Sequence, residues 1–323
     1  MGFRKALMAL AALALGAAPS LAQPAPWPTR TVTVVVPYPA GGNTDTMARL
    51  AAEFFRKKFG QSFIVDNRPA AGGAVAAAQI AQGGDDGHTI FFAAAVQMII
   101  LPMVQKVNYD PAADFKPVSV FGTGPFVLGV HKAVPANNFE EFIAFAKSKR
   151  DHINVATAGQ GGFSHLAAAL LAKRAGMQVV FVPHRGGAPA VQSLAAGDVH
   201  AYFGNASEII QQLEGGNVKA LAVSTVRPVD QLPGAPPVAK FFPGFEMSSW
   251  NGFFVSSKVS DQTVNLLAGA VADAARDPTI SSRLKAFGIE PIGNSPAQFG
   301  EIIKGERGIY KEAIEAAGLP ILP

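Results

Sequence analysis

Apolar and polar residues follow a repeated order along the chain: a short β-branched run, a loop rich in glycine, and a stretch with helical spacing. Residues 32–36 are the first such run, and Gly41 and Gly42 lie in the loop after it. Residues 44–59 then carry apolar side chains at helical intervals and stop at Gly60. Alternation of this kind is typical of a parallel sheet covered by helices. The order continues with predicted strands at 62–65 and 89–92 and a predicted helix at 74–82.

A second series of the same kind begins after a predicted helix at 138–149. Its strands are predicted at 153–156, 179–182, 200–203 and 220–224, and its helices at 164–175, 188–196 and 207–214. Two long apolar runs, 118–130 and 248–255, do not fit either series, so we interpret them as crossover strands. Helices at 264–276 and 296–317 end the chain. The pattern predicts an α/β protein of two parallel-sheet lobes with a cleft between them, lobe one being 27–122 plus 254–323 and lobe two 123–253.

The N-terminus has the three parts of a secretory signal peptide. Arg4 and Lys5 are followed by an apolar run at 6–18 and by the small–x–small sequence Ser20-Leu21-Ala22. The apolar run is short for a membrane span, although an uncleaved anchor is the alternative. We therefore expect residues 1–22 to be a signal peptide and the mature protein to be exported, which means periplasmic in a bacterium with two membranes.

Composition removes several classes of function. With 49% hydrophobic and 15% charged residues, the chain is too apolar to be disordered. It has no cysteine, which excludes disulfide scaffolds, thiol nucleophiles and cysteine-ligated metals. The net charge is only +4 and the basic residues are scattered, so no nucleic-acid partner is expected. The six histidines lack the spacing of a metal motif, and we expect neither a metal nor a cofactor.

Two glycine loops are candidates for an anion site. Ala40-Gly41-Gly42-Asn43-Thr44 opens a helix of lobe one, and Gly161-Gly162-Phe163-Ser164 opens one of lobe two. Backbone N–H groups at such turns and the positive ends of helix dipoles attract carboxylates without any Lys or Arg. Tight packing without a ligand is the alternative. Asp45 is either a helix cap or a partner for a ligand amino group, and Asn205 is either a turn residue or a ligand contact.

No catalytic constellation is evident. Ser164 and His165 are adjacent on a helix and point about 100° apart, so they do not form a nucleophile–base pair. Gly159-Gln160-Gly161 resembles the start of a dinucleotide fingerprint, but Ser164 stands at the third glycine position. We expect a protein that is not an enzyme, with an exported hydrolase or isomerase on the same scaffold as the alternative.

The chain resembles the Bug-type receptors, the extracytoplasmic solute-binding proteins of tripartite tricarboxylate transporters. The resemblance lies in the order and spacing of several motifs over the whole mature chain. These are Trp27-Pro28, Pro37-Tyr38-Pro39-Ala40-Gly41-Gly42, Thr44-Asp45, Asp66-Asn67-Arg68-Pro69, Asp86-Gly87-His88-Thr89, Tyr109-Asp110-Pro111, Ala156-Thr157-Ala158-Gly159, Ser164-His165-Leu166, Pro183-His184-Arg185-Gly186, Ser249-Trp250-Asn251-Gly252 and Gly288-Ile289-Glu290-Pro291. The resemblance implies a two-lobed periplasmic binding protein, type II-like, that delivers a small carboxylate to membrane permease subunits. We expect it to be a monomer, and presentation of the ligand to a membrane sensor is the alternative role.

The resemblance also implies a set of binding residues, some gripping one ligand carboxylate and others facing the distal end of the ligand. The first group is Tyr38, Ala40, Gly41, Gly42, Thr44, Asp45, Gly161, Gly162, Ser164 and His165, and the second is Ala94, Ala95, Arg185, Gly186 and Asn205. Ala94 and Phe163 replace residues that are polar or small in many relatives, which favours a ligand with one carboxylate and an apolar or aromatic body. Arg185 argues for a second anion instead.

Overall fold

The computed structural model describes residues 27–149 and 152–322, so the predicted signal peptide lies outside the described residues. The strands are β1 Val32–Val36, β2 Phe63–Asn67, β3 Thr89–Ala94, β4 Phe115–His131, β5 Ile153–Thr157, β6 Val179–Pro183, β7 Ala201–Asn205, β8 Val218–Val223, β9 Ser248–Ser256 and β10 Glu290–Pro291. The α-helices are α1 Asn43–Phe59, α2 Ala74–Ala81, α3 Leu101–Val104, α4 Phe139–Ser148, α5 Phe163–Ala175, α6 Gly187–Ala196, α7 Ala206–Leu213, α8 Asp261–Arg276, α9 Pro278–Ala286 and α10 Pro296–Ala316.

The strands form two parallel sets joined by antiparallel crossovers. The strand order is β2-β1-β3-β9-β4-β7-β5-β6, and β8 and β10 pair with β4 outside this path. β1 is parallel to β2 and β3, and β5 is parallel to β6 and β7. β9 is antiparallel to both β3 and β4, and β4 is antiparallel to β7. The two predicted series are thus confirmed as the two lobes of an α/β protein. The exception is β8, which was predicted as the last strand of the second parallel set and instead pairs antiparallel with β4.

The long strand β4 passes from one lobe to the other. Its residues from Phe115 to Pro125 pair with β9, whereas those from Phe126 to His131 pair with β7 and β8. The prediction that 118–130 and 248–255 are crossover strands is confirmed, since β4 and β9 cover both runs. The change of partners at Pro125 and Phe126 separates the strands of the two lobes.

Three apolar clusters hold the described layers together, one of them within lobe two. In lobe one the α1 residue Phe55 and the strand residue Phe92 pack on Phe253 of β9, with ring centroids 5.5 and 4.5 Å away. Another cluster is continuous between the lobes through α10, whose Tyr310 meets Phe163 of α5 edge-on at 5.3 Å. No helix in the described part of the chain combines the length and the apolar character needed to cross a membrane.

Every helix of the two series begins close to its predicted start, at the carboxyl end of a strand. α1 follows β1, α5 follows β5, α6 follows β6 and α7 follows β7. In open α/β sheets the crevice beyond these strand ends is the usual ligand site. The topology therefore brings the first turns of several helices to one region of the molecule.

Candidate functional site

A cleft between the two lobes lies at the carboxyl ends of β1, β3, β5, β6 and β7. Its walls include the first turns of α1, α5 and α6 and two residues of the crossover β9, Ser249 and Asn251. Ten of the residues predicted to bind ligand line it: Tyr38, Ala40, Gly42, Thr44, Ala94, Gly162, Ser164, Arg185, Gly186 and Asn205. The other five residues that the resemblance implied, Gly41, Asp45, Ala95, Gly161 and His165, do not line it.

Asp45 lies behind the first glycine loop instead of facing the cleft. The side chain is buried, and its Oδ2 accepts hydrogen bonds from the Gly41 N–H at 2.9 Å and from Arg49 Nε at 2.9 Å. Its Oδ1 accepts one from Asn67 Nδ2 at 3.0 Å. Burial acts to raise the pKa of Asp45, but the hydrogen bonds from Arg49, Gly41 and Asn67 outweigh burial and lower this pKa. Asp45 thus fixes the shape of the loop.

His165 has the corresponding place behind the second glycine loop. Its Nδ1 accepts a hydrogen bond from the Gly161 N–H at 3.0 Å, and its ring meets Phe181 edge-on at 4.6 Å. Burial lowers the pKa of His165, which favours the neutral imidazole that this acceptor role requires. Gly161 has φ of +73°, a backbone conformation that favours glycine.

The first turns of α1 and α5 both lack a side-chain cap. Gly42 precedes α1 and Gly162 precedes α5, each with extended backbone and neither with a side chain that could accept a first-turn N–H. The first N–H groups of a helix have no partner within the helix, and the helix dipole is positive at that end. Since both turns line the same cleft, they offer hydrogen-bond donors to one anion from two sides.

Three hydroxyl groups add further donors to this cleft. Tyr38 Oη accepts a hydrogen bond from Gln97 Nε2 at 3.1 Å, and Thr44 Oγ1 accepts one from Asn251 Nδ2 at 3.0 Å. Ser164 Oγ accepts one from the Ala158 N–H at 2.7 Å. Because each oxygen already accepts an N–H, its own proton is left to donate. Burial raises the pKa of Tyr38 to about 12, so this hydroxyl keeps its proton at neutral pH.

The remaining wall of the cleft is apolar. Val96, Leu101, Phe126 and Phe163 line it with Ala94, and the rings of Phe126 and Phe163 lie 5.3 Å apart. The buried amide of Gln97 beside this wall is satisfied internally, by the Ala94 N–H at 3.1 Å, the Gly72 carbonyl at 2.7 Å and Tyr38. This end of the cleft therefore suits a hydrocarbon group better than a polar one.

Two charged side chains line the cleft on the side of lobe two. Arg185 is exposed at the rim, on the loop before α6. Glu208 of α7 is more deeply placed and accepts hydrogen bonds from Tyr202 Oη at 2.8 Å and from the Asn205 N–H at 3.2 Å. Burial raises the pKa of Glu208, against the lowering effect of those hydrogen bonds. Asn205 is a helix cap here, and its Nδ2 donates to Glu208 Oε1 at 3.2 Å.

Sequence reasoning missed several residues of the cleft. Phe126, Glu208, Ser249 and Asn251 all line it but were not assigned to the site. Asn251 lies in a motif that carries the resemblance, and this could have identified it. Glu208 had no such signal, because a Glu in the first turn of a predicted helix is an ordinary dipole-compensating residue.

Ser164 and His165 are engaged separately, the hydroxyl with Ala158 and the imidazole with Gly161. Neither of these hydrogen bonds joins the two side chains, in agreement with the expectation that adjacent helix residues do not form a catalytic pair. Within residues 27–149 and 152–322, no group of three or more His, Asp or Glu side chains is arranged to hold a metal ion.

Comparison with known proteins identifies the family of this two-lobed binding protein. Residues 47–319 match the model of the tripartite tricarboxylate transporter family receptor, and the chain belongs to this family. A UPF0065 protein encoded in the tcbD-tcbE intergenic region of Pseudomonas sp. (strain P51) is 33% identical over 294 residues, which cover 89% of this chain and 86% of that protein.

Solved structures agree with this assignment. The structure of R. palustris Rpa4515 with adipate has a TM-score of 0.87 and 31% identity, and covers 91% of this chain and 99% of that one. MatC (Rpa3494) from Rhodopseudomonas palustris with bound malate has a TM-score of 0.82 and 30% identity, and covers 89% of this chain and 100% of that one. The resemblance to Bug-type receptors is thus confirmed, as is the fold.

Proposed function

We propose that this protein is a periplasmic receptor that captures one small carboxylate in the interlobe cleft and delivers it to the permease of a tripartite tricarboxylate transporter. The observation that carries the proposal is the pair of uncapped helix starts, at Gly42 and Gly162, on opposite walls of one cleft. The hydroxyl protons of Tyr38, Thr44 and Ser164 supplement them. A carboxylate accepts hydrogen bonds only, so a site built from donors matches it.

The proposed ligand has one carboxylate and an apolar or aromatic body. With its carboxylate between the two helix starts, the body would lie along Leu101, Phe126 and Phe163. A second carboxylate at that wall would lose its hydration without gaining a hydrogen bond, which is costly. Arg185 opposes this preference only weakly, because an exposed charge at the rim is screened by water and salt.

Capture is proposed to involve closure of two lobes, 27–122 plus 254–323 and 123–253, about the crossover strands. A polar contact already joins the lobes across the cleft: Ser207 Oγ donates to Asn43 Oδ1 at 3.0 Å. Asn43 Nδ2 in turn donates to Asn251 Oδ1 at 3.3 Å, which links both lobes to β9. Closure around a ligand is the usual motion of two-lobed binding proteins.

The proposal also covers where the protein acts and what happens to its ligand. We propose that residues 1–22 are removed on export, that the mature chain acts as a monomer without a cofactor, and that it releases its ligand unchanged to membrane permease subunits. The family is the support for this role, since its members are transporter receptors. Ser164, which lines the cleft, and His165, which lies behind it, both shape the second glycine loop, and this gives no support to a hydrolase.

A thermal-shift screen of the mature chain tests the proposal. The panel contains benzoate-type and aliphatic monocarboxylates, dicarboxylates, citrate, amino acids and, as neutral controls, sugars. A ligand that binds only the folded protein stabilises it by about 2.7 kcal/mol at one hundred times Kd. A rise in melting temperature with monocarboxylates supports the proposal. A rise with sugars only, or conversion of the ligand during incubation as seen by NMR, would contradict it.

A further inference from the structure

The half-buried carboxylate of Glu208 lies at the start of α6, where a second ligand anion would otherwise be favoured. A Cβ atom built on Gly187, the first residue of α6, would lie 1.8 Å from Glu208 Oε1. A side chain at position 187 would therefore collide with the Glu208 carboxylate in its present place against the first turn of α6. The positive end of the helix dipole favours an anion at this place. The first turn of α5 has no acidic residue, and Asp45 in the first turn of α1 lies behind its loop, where it is paired with Arg49. At the start of α6, by contrast, the Glu208 carboxylate lies against the turn that lines the cleft.

The start of α6 is also poorer in donors than the other two. Pro189, the third residue of α6, has no N–H to offer. The nearby donors already bind Glu208: Tyr202 Oη and the backbone and side-chain N–H groups of Asn205 donate to its two carboxylate oxygens. They are therefore not available to a ligand. A ligand carboxylate arriving here would meet a like charge and few free N–H groups.

We propose that Glu208 is a specificity-determining residue that excludes a second carboxylate, so that the receptor selects monocarboxylates over dicarboxylates of the same length. This inference rests on the proposed function of the cleft. Glu208 is partly shielded from solvent, so water and salt screen its repulsion of a ligand carboxylate only weakly. The attraction between that carboxylate and the exposed Arg185 is screened more strongly. Glu208 therefore outweighs Arg185, which shares the cleft but is exposed to solvent.

Matched ligand pairs test the inference, because they differ only in the distal carboxylate. Hexanoate is compared with adipate, and 4-methylbenzoate with terephthalate, by titration calorimetry at pH 7.5 on the wild-type chain and on Glu208→Gln. The wild type is expected to prefer the monocarboxylate by at least about tenfold, and the variant to lose about tenfold of this preference. Glutamine keeps the size of the side chain and removes its charge.

Glu306→Gln is the matched control. Glu306 is also a mostly buried carboxyl whose pKa burial raises, and it accepts hydrogen bonds from Trp250 Nε1 at 2.7 Å and Tyr310 Oη at 3.1 Å, but it does not line the cleft. Its substitution should leave the ratio of affinities unchanged. The melting temperature of each variant shows whether it is folded.

The outcomes separate the inference from the function on which it rests. Equal or tighter binding of the dicarboxylates by the wild type would overturn the inference and leave a carboxylate receptor in place. The same preference in Glu208→Gln as in the wild type would overturn the role of Glu208. If neither member of either pair bound the wild type, the proposed monocarboxylate receptor would fail and the inference with it. If Glu208→Gln does not fold, the wild-type comparison can still overturn the inference, because equal or tighter binding of the dicarboxylates would contradict it.

Discussion

Asp45 and His165 occupy the same position in the two helices that face each other across the cleft. Each is the third residue of its helix, and each accepts the N–H of the glycine that precedes the helix cap, Gly41 at 2.9 Å and Gly161 at 3.0 Å. Both glycine loops are thus held by the same kind of hydrogen bond, which a carboxylate accepts in lobe one and an imidazole accepts in lobe two. The side chains hold the loops from behind, which leaves the first-turn N–H groups of α1 and α5 directed to the cleft.

Gly42→Asp should abolish carboxylate binding while the fold survives. An aspartate in the cap position accepts first-turn N–H groups itself, so its carboxylate would take the place of the ligand carboxylate and stabilise α1 by about a few tenths of a kcal/mol. Affinity for the best monocarboxylate should fall at least about a hundredfold. Titration calorimetry measures the affinity and thermal melting the stability.

Gly42→Ala is the control for this change. A Cβ at Gly42 meets only the Pro39 carbonyl oxygen, at 3.8 Å, which is ordinary contact. Alanine should therefore cost much less affinity than aspartate. Wild-type affinity in the aspartate variant would show that the start of α1 is not the anion site.

Tyr38→Phe should weaken binding by about five- to thirtyfold, because it removes a donated hydrogen bond of about 1 to 2 kcal/mol and leaves the ring in place. Tyr109→Phe is the matched control: its hydroxyl donates to the Gln97 carbonyl at 2.6 Å and does not line the cleft. That variant should lose stability and keep its affinity. Similar affinity losses in both variants would argue for an indirect effect through Gln97.

Asp45→Asn should lower the free energy of unfolding at neutral pH by about 1 to 3 kcal/mol, because an amide cannot accept all the hydrogen bonds of the buried carboxylate. The pKa of Asp45 in the folded protein lies below the ordinary 3.8. Its contribution is therefore fully present well above pH 3.8 and is lost as the pH falls through the lowered value.

Urea unfolding of wild type and variant from pH 7 to pH 3 measures this difference. It should be constant down to about pH 5 and shrink below about pH 4. Asp273→Asn is the control, since Asp273 is an exposed partner of Lys58 and Arg276 and should contribute less than about 1 kcal/mol. A difference that grows on acidification would contradict the assigned role.

Ser207→Ala should weaken binding by about three- to tenfold by removing the hydrogen bond to Asn43 that joins the lobes. Small-angle X-ray scattering should show a larger radius of gyration for the ligand-free variant than for the ligand-free wild type. Ser193→Ala, on the exposed side of α6, should change neither quantity. Identical behaviour of the two variants would mean that the contact does not favour closure.

The two lobes could be predicted from the sequence because their strands and helices alternate with glycine loops at regular intervals. The helix starts at Asn43 and Phe163 lie within one residue of their predicted places, since the glycine before each marks the boundary. The crossovers could be predicted because β4 and β9 are longer than the strands of either series and fall outside the regular alternation.

Other features depend on contacts that the sequence does not reveal. Val96–Ile100 is apolar and β-branched, yet it forms a π-helix in which the Gln97 side chain bonds Ala94, Gly72 and Tyr38. The sequence leaves Asp45 open between a helix cap and a ligand contact, and the family resemblance implies a ligand contact for both Asp45 and His165. Only their hydrogen bonds reveal that they lie behind the glycine loops. Glu208 lies in the cleft because its carboxylate packs against Gly187, which is twenty-one positions away in the sequence.

A crystal structure of the mature chain with a bound monocarboxylate such as benzoate tests the central claim most directly. The carboxylate oxygens should lie within about 3.2 Å of first-turn N–H groups of both α1 and α5, with the ring against Phe126 and Phe163. A carboxylate paired with Arg185 at the rim, with the starts of both helices left uncontacted, would contradict it.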